Sequence, residues 1–218
     1  MGHIQNLLKG SASAEKGIIR KPLWKLFIAE FIGTALLVFL GCGCVLKLNP
    51  EDHKLLVGIA LCWGFTIATL AQTLGNISCD INPAVTLACL ATGRTTIVKC
   101  IVYIIAQCLG ALGGIGMLKL LMPDSVMGNW AITKLALGVT PLQGFLIEVV
   151  CTFLLVFTVF SASDERRTDL KGSVPLSIGL CVAGIILFAG PLTGASLNPA
   201  RSLGPSVFAG HFENHWVC

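Results

Sequence analysis

The tripeptide Asn82-Pro83-Ala84 returns as Asn198-Pro199-Ala200, each time inside a long apolar stretch. Both copies are instructions to start a helix. Asn is a favoured N-cap, because its side-chain oxygen can hold an orphan backbone N–H, and Pro is preferred at the first helical position. A helix that begins inside a lipid bilayer leaves unpaired N–H groups and a positive dipole end in hydrocarbon. Such a start is tolerated only where it faces a polar cavity. Two of them in one chain predict a pore.

Working outward, the flanking sequence reads as membrane protein. The chain of 218 residues is 55% apolar and 12% charged, with mean hydropathy +0.84. Soluble domains carry about 25% charged residues, so lipid is the expected solvent. Five segments, 24–46, 55–75, 97–121, 141–161 and 174–191, are long enough to span about 30 Å of hydrocarbon. The pieces 82–92 and 198–208 are each about half a membrane long at roughly 1.5 Å per residue. Entering from opposite faces, they would cover the bilayer once between them.

The sequence also repeats. Ala29-Glu30-Phe31-Ile32-Gly33-Thr34 recurs as Ile147-Glu148-Val149-Val150-Cys151-Thr152, and the two Asn-Pro-Ala units lie 116 residues apart. A unit with three full crossings inserts its second copy upside down, which gives inverted repeats with the working site at the midplane. The expected organisation is a tail over 1–23, a first repeat over 24–122 and a second over 123–218. The third span of the first repeat starts about 15 residues after its Asn-Pro-Ala. The equivalent point of the second lies near His211–His215, and no sixth span follows before Cys218.

Basic residues cluster in the tail (Lys9, Lys16, Arg20, Lys21, Lys25) and in two loops (Arg94, Lys99; Arg166, Arg167, Lys171). The other side carries Lys47, Lys54 and Lys134, so the N-terminus is predicted to be cytoplasmic. The net charge of +4 does not imply nucleic-acid binding, because the basic residues lie between spans. Most of the 10 Cys sit in apolar runs, where a thiol behaves as a small hydrophobe. No phosphate loop, nucleophile elbow or metal-ligand spacing is present, and His211 with His215 lacks a third ligand. No metal or cofactor is expected, and no enzyme. Gly110, Gly113, Gly114 and Gly116 read as a helix-packing face, and Trp24 and Trp130 as anchors at the membrane interface.

On the paired Asn-Pro-Ala units, the Glu-x-x-x-Thr of Glu30/Thr34 and Glu148/Thr152, and the run Leu192-Thr193-Gly194-Ala195-Ser196-Leu197-Asn198-Pro199-Ala200-Arg201-Ser202, the chain resembles the aquaporin and aquaglyceroporin (major intrinsic protein) family. The resemblance implies an all-α membrane protein, an aquaporin-like inverted repeat with two re-entrant half-helices. It implies a filter built from Trp63, Ile186, Ala195 and Arg201, with Asn82 and Asn198 capping their helices and aiming amide N–H groups at the pore. Glu30 and Glu148 are expected to accept hydrogen bonds from the re-entrant loops. The implied function is passive conduction of water, with homotetramers in the plasma membrane. Ile186 stands where water-selective members usually carry His, which points to glycerol or urea as further solutes; Ser202 in place of the Asp usual in glycerol channels points the other way. Ala195 replaces the Cys of mercury-sensitive members.

The first re-entrant loop, Ile77-Ser78-Cys79-Asp80-Ile81-Asn82, is one residue shorter than is usual in the family. Asp80 there either favours cations or caps loop backbone. The lack of a sixth span motivates one alternative, a truncated, non-conducting subunit that modulates full-length relatives. An inverted-repeat secondary transporter is the other.

Overall fold

The structure, a computed structural model, describes residues 21–46, 53–128, 130–169 and 171–217. Most of the tail, Lys47 and Cys218 lie outside the described residues, as does the tail's share of the charge reading (Lys9, Lys16, Arg20). The chain folds into helices α1 (Leu23–Gly43), α2 (His53–Leu74), α3 (Pro83–Ala91), α4 (Ile97–Leu121), α5 (Asp124–Met127), α6 (Pro141–Ala162), α7 (Val174–Thr193) and α8 (Pro199–Ala209), then a 3₁₀ turn at His215–Val217. Among the described residues there is no strand. Five of these helices are long and apolar enough to cross a membrane.

Helix limits follow local chemistry. Thr96, Thr140 and Ser173 cap α4, α6 and α7 by accepting a backbone N–H from inside the first turn, and Thr140 with Gln143 forms a full capping box. The last turn of α7 contains Pro191, and the helix stops at Gly194, which takes the left-handed conformation at φ 83°.

Two close helix pairs set the frame. α1 packs along α4, and α2 packs along α7. Both rely on missing side chains. A Cβ on Gly110 or Gly114 would strike the carbonyl of Phe31 or Ala35 in α1. A Cβ on Gly64 would lie 2.6 Å from the Gly179 carbonyl, so α2 and α7 cross backbone to backbone. α4 also covers α8, and α6 packs on α7. α3 and α8, of 9 and 11 residues, are half-helices.

The structure adds internal contacts to the reading of Trp130 as an interface anchor. The residue is half-buried, packs on Phe208 of α8 at 5.8 Å and lies under Lys119 at 5.7 Å. It is therefore an internal brace between the α5–α6 connection and α8, with neighbours that periodicity did not reveal. Trp24 is 61% exposed, with Lys25 over its ring.

Candidate pore at the meeting of the two re-entrant loops

Each half-helix begins at its Asn. Asn82 Oδ1 accepts the Ala84 N–H at 2.8 Å. Asn198 Oδ1 accepts those of Ala200 and Arg201 at 3.1 and 3.2 Å. The amide nitrogens cross over. Asn82 Nδ2 donates to the Leu197 carbonyl at 2.7 Å, and Asn198 Nδ2 donates to the Ile81 carbonyl at 2.8 Å. One N–H of each amide thus locks the two loops together instead of facing the pore, the direction expected from the sequence; the second N–H of each amide is left for a guest.

The residues before the two Asn are held off the ordinary backbone map. Ile81 has φ 43° and Leu197 φ 54°, positions that bulky residues rarely adopt. Such strain, of order 1–3 kcal/mol each, persists only where neighbours over-determine it. Buried glutamates do so here. Glu30 accepts the Ile81 N–H at 2.7 Å, the Asp80 N–H at 2.8 Å, the Ser78 hydroxyl at 2.5 Å and Gln107 Nε2 at 2.8 Å. Glu148 accepts the Leu197 N–H at 2.8 Å, the Ser196 N–H at 3.0 Å and the Thr193 hydroxyl at 2.5 Å. Neither carboxylate lines the cavity between the loops, and both act as scaffold.

That cavity holds about 90 Å³ of solvent space. A water needs roughly 10–15 Å³ of such space, so a short file of waters fits. Trp63, Ile186 and Ala195 line it together with Asp80, Asn82 and Asn198, and the rest of the wall is mainly apolar. Arg201 sits against this group, its guanidinium over the Trp63 ring at 5.1 Å. The structure therefore brings the four filter residues of the sequence reading into one cluster. The sequence did not point to the supports of that cluster. Gly41 leaves room for the Trp63 ring, since a Cβ would lie 2.5 Å from it. Arg201 Nη1 donates to the Ala131 carbonyl at 3.0 Å, and Ala131 is itself at φ 56°. Thr133 Oγ1 meets Ser202 Oγ at 2.9 Å. Gln107, fully buried, bridges Glu30 and the Thr86 hydroxyl. A positive-φ alanine in an irregular segment carries no pattern that spacing could expose.

Away from the cavity, Arg166 pairs with Asp164 at 2.7 Å and Arg167 with Asp169 at 2.6 Å, both on the α6–α7 connection. The hydrogen bonds from these guanidiniums hold both carboxyls below their usual range. His211 lies 3.8 Å from Glu213, while His215 Nδ1 lies 3.3 Å from Ser206 Oγ. No metal cluster forms among the described residues.

Five helices long and apolar enough to cross a membrane, two half-helices meeting end to end and a cavity at their junction define a polytopic membrane protein. The chain belongs to the major intrinsic protein family, whose model matches residues 18–218. It is 46% identical to aquaporin-4 of Mus musculus over 208 residues, 94% of this chain and 64% of that protein. It is 40% identical to aquaporin FA-CHIP of Pelophylax lessonae (91% of this chain, 77% of that one). The chain thus spans just under two thirds of the length of the aquaporin-4 relatives it matches. Its fold matches the aquaglyceroporin from Plasmodium falciparum with a TM-score of 0.73 at 27% identity, covering 90% of this chain and 89% of that one.

Proposed function

We propose that this chain is a passive transmembrane channel for water and for small uncharged solutes such as glycerol or urea, closed to protons and ions. The observation that carries the proposal is the cavity at the crossed asparagines, walled by Trp63, Ile186 and Ala195, with Arg201 stacked on Trp63. The free N–H of each asparagine amide can hold one water oxygen, so that this water cannot relay a proton along the file. The two half-helix dipoles, each about half a positive charge at its N-terminus, add a barrier to cations. Arg201 adds a fixed charge and donors for a solute oxygen. Ile186 leaves an apolar corner against Trp63 that suits the CH groups of a polyol. The relatives named aquaporin and aquaglyceroporin support both halves of the reading. We place the protein in the plasma membrane as a homotetramer, with its N-terminus in the cytoplasm.

Stopped-flow light scattering of proteoliposomes under water, glycerol and urea gradients tests this. Wild type is expected to pass all three, and Ile186→His to keep water flux while cutting glycerol flux about tenfold, the worth of roughly 1.4 kcal/mol of lost fit. Water flux without glycerol or urea in wild type would contradict the wide filter.

A further inference from the structure

The two re-entrant loops are fastened by the same clasp, and only one of them carries a charge. In the second loop Ser196 Oγ and Ser202 Oγ lie 2.5 Å apart, and Thr133 Oγ1 closes the clasp on Ser202. Counting back 116 residues, the spacing of the Asn-Pro-Ala units, turns Ser196 into Asp80 and Ser202 into Thr86. Thr86 Oγ1 donates to Asp80 Oδ2 at 2.9 Å, and Gln107 Nε2 closes this clasp by donating to Thr86 Oγ1 at 3.0 Å. The clasp needs an oxygen at its first position. A neutral hydroxyl meets that need in one loop, so the carboxylate in the other exceeds what the fold requires.

The surplus faces the conduction path. Asp80 is the one charged side chain among the described residues lining the cavity, beside Cys79 and Asn82. Its Oδ1 takes no hydrogen bond among the described residues. Among the described residues, the groups that act on it electrostatically supply no cation. Glu30 of α1 repels it, and among the same residues Thr86 of α3 is the one side chain that hydrogen-bonds its carboxylate. A part-buried carboxylate without a counter-charge is costly at membrane depth, and unlike Glu30 and Glu148 this one faces the cavity. The asparagine amides at the crossing offer donors, and Asp80 is the one carboxylate among the described residues lining the cavity, so a guest's own donors find their strongest acceptor there.

Resting on the channel reading above, we propose that Asp80 is a specificity-determining residue of the path, whose carboxylate accepts hydrogen bonds from permeating solutes rich in N–H or O–H donors. Urea-like amides, with two N–H groups that can fit one carboxylate, gain most from it, and their passage rises relative to water.

Asp80→Ser tests this without removing the clasp, because it copies the neutral pair of the second loop; Asp80→Asn is the isosteric companion. Both are reconstituted beside wild type, and urea, glycerol and water permeabilities are compared. The expected result is a fall of about five- to tenfold in the urea-to-water ratio for both variants, the loss of one charge-assisted hydrogen bond, with water flux within about twofold of wild type. An unchanged ratio in both variants overturns the proposal and leaves Asp80 as a plain clasp. Equal loss of water and urea flux from correctly inserted variants overturns it too. If wild type carries water but neither urea nor glycerol, the wide-filter reading fails by itself. The Asp80 proposal then stands or falls on the ammonia-to-water ratio, since ammonia is water-sized, with the same fall expected.

Discussion

At Ile81 and Leu197 the backbone leaves the regions that β-branched and bulky residues prefer, and both carbonyls are taken up by the asparagine of the opposite loop. The glutamates hold that arrangement by accepting the N–H of the same strained residues. Glu148→Gln isolates this. A glutamine can keep two of the three bonds but must turn an NH₂ towards a remaining donor, which leaves a buried N–H without an acceptor. The expected cost is about 2–4 kcal/mol. It should appear as a lower Tm in detergent, with less of the protein inserted. A Tm equal to wild type would mean that the loop holds its shape without the carboxylate.

Much of this was legible at the residue scale, for a physical reason. Asn and Pro carry a capping and a φ preference that act locally, so a triplet announces a helix start wherever it stands. Glu30 and Glu148 stood out as carboxylates inside apolar runs. The cross-loop bonds of the asparagines were not legible, because an Nδ2 chooses its acceptor by three-dimensional proximity across 115 and 117 residues of chain. Thr133 and the Ala131 carbonyl stayed hidden for the same reason: they lie in an irregular segment that reaches Arg201 and Ser202 only after folding.

For the elements, apolar length located the five spans, although the first, read at 24–46, ends as α1 at Gly43. The spans read at 55–75, 97–121 and 141–161 appear as α2, α4 and α6 with ends moved by at most two residues. The end of α7 ran two residues past expectation, because Pro191 is accommodated in its last turn. What the elements do to each other was only partly readable. The glycines of α4 announced a packing face, whereas the crossing of α2 and α7 rests on two isolated glycines, Gly64 and Gly179, which no repeat pattern marks. The C-terminal 3₁₀ turn contacts α8 through His215 and Ser206. Burial lowers the His215 pKa, so its folded form prefers the neutral ring. The resulting stability is complete above the ordinary histidine pKa of about 6.5 and is lost as pH falls through the lower folded value. Thermal unfolding should therefore shift down on acidification from about pH 7 to 5, and His215→Gln should flatten that component. A pH slope that survives the substitution would assign it to another group.

For the molecule as a whole, inverted repetition explains why two short loops can build one site. Each repeat contributes an Asn cap, a strained residue and a glutamate brace, and the two sets meet head to head at the cavity. The repeats are unequal in detail: the first loop carries Asp80 where the second has Ser196, and the second carries Arg201 where the first has Val85. The cavity therefore has a carboxyl on one loop and a guanidinium beside the other, a polarity that a perfect repeat would lack. Along the outside, Phe153 and Phe157 of α6 and Leu180 and Phe188 of α7 are exposed apolar residues, as a lipid-facing surface requires.

If solvent crosses through the cavity between the loops, a bulky side chain placed in that cavity stops it. Val182, on α7, lines that cavity, and Leu180, two residues earlier on the same helix, is 56% exposed on the outer surface. Osmotic water permeability of proteoliposomes carrying Val182→Trp should fall to that of protein-free vesicles, while Leu180→Trp should match wild type at equal protein density. Undiminished water flux through correctly inserted Val182→Trp would place the path outside this cavity.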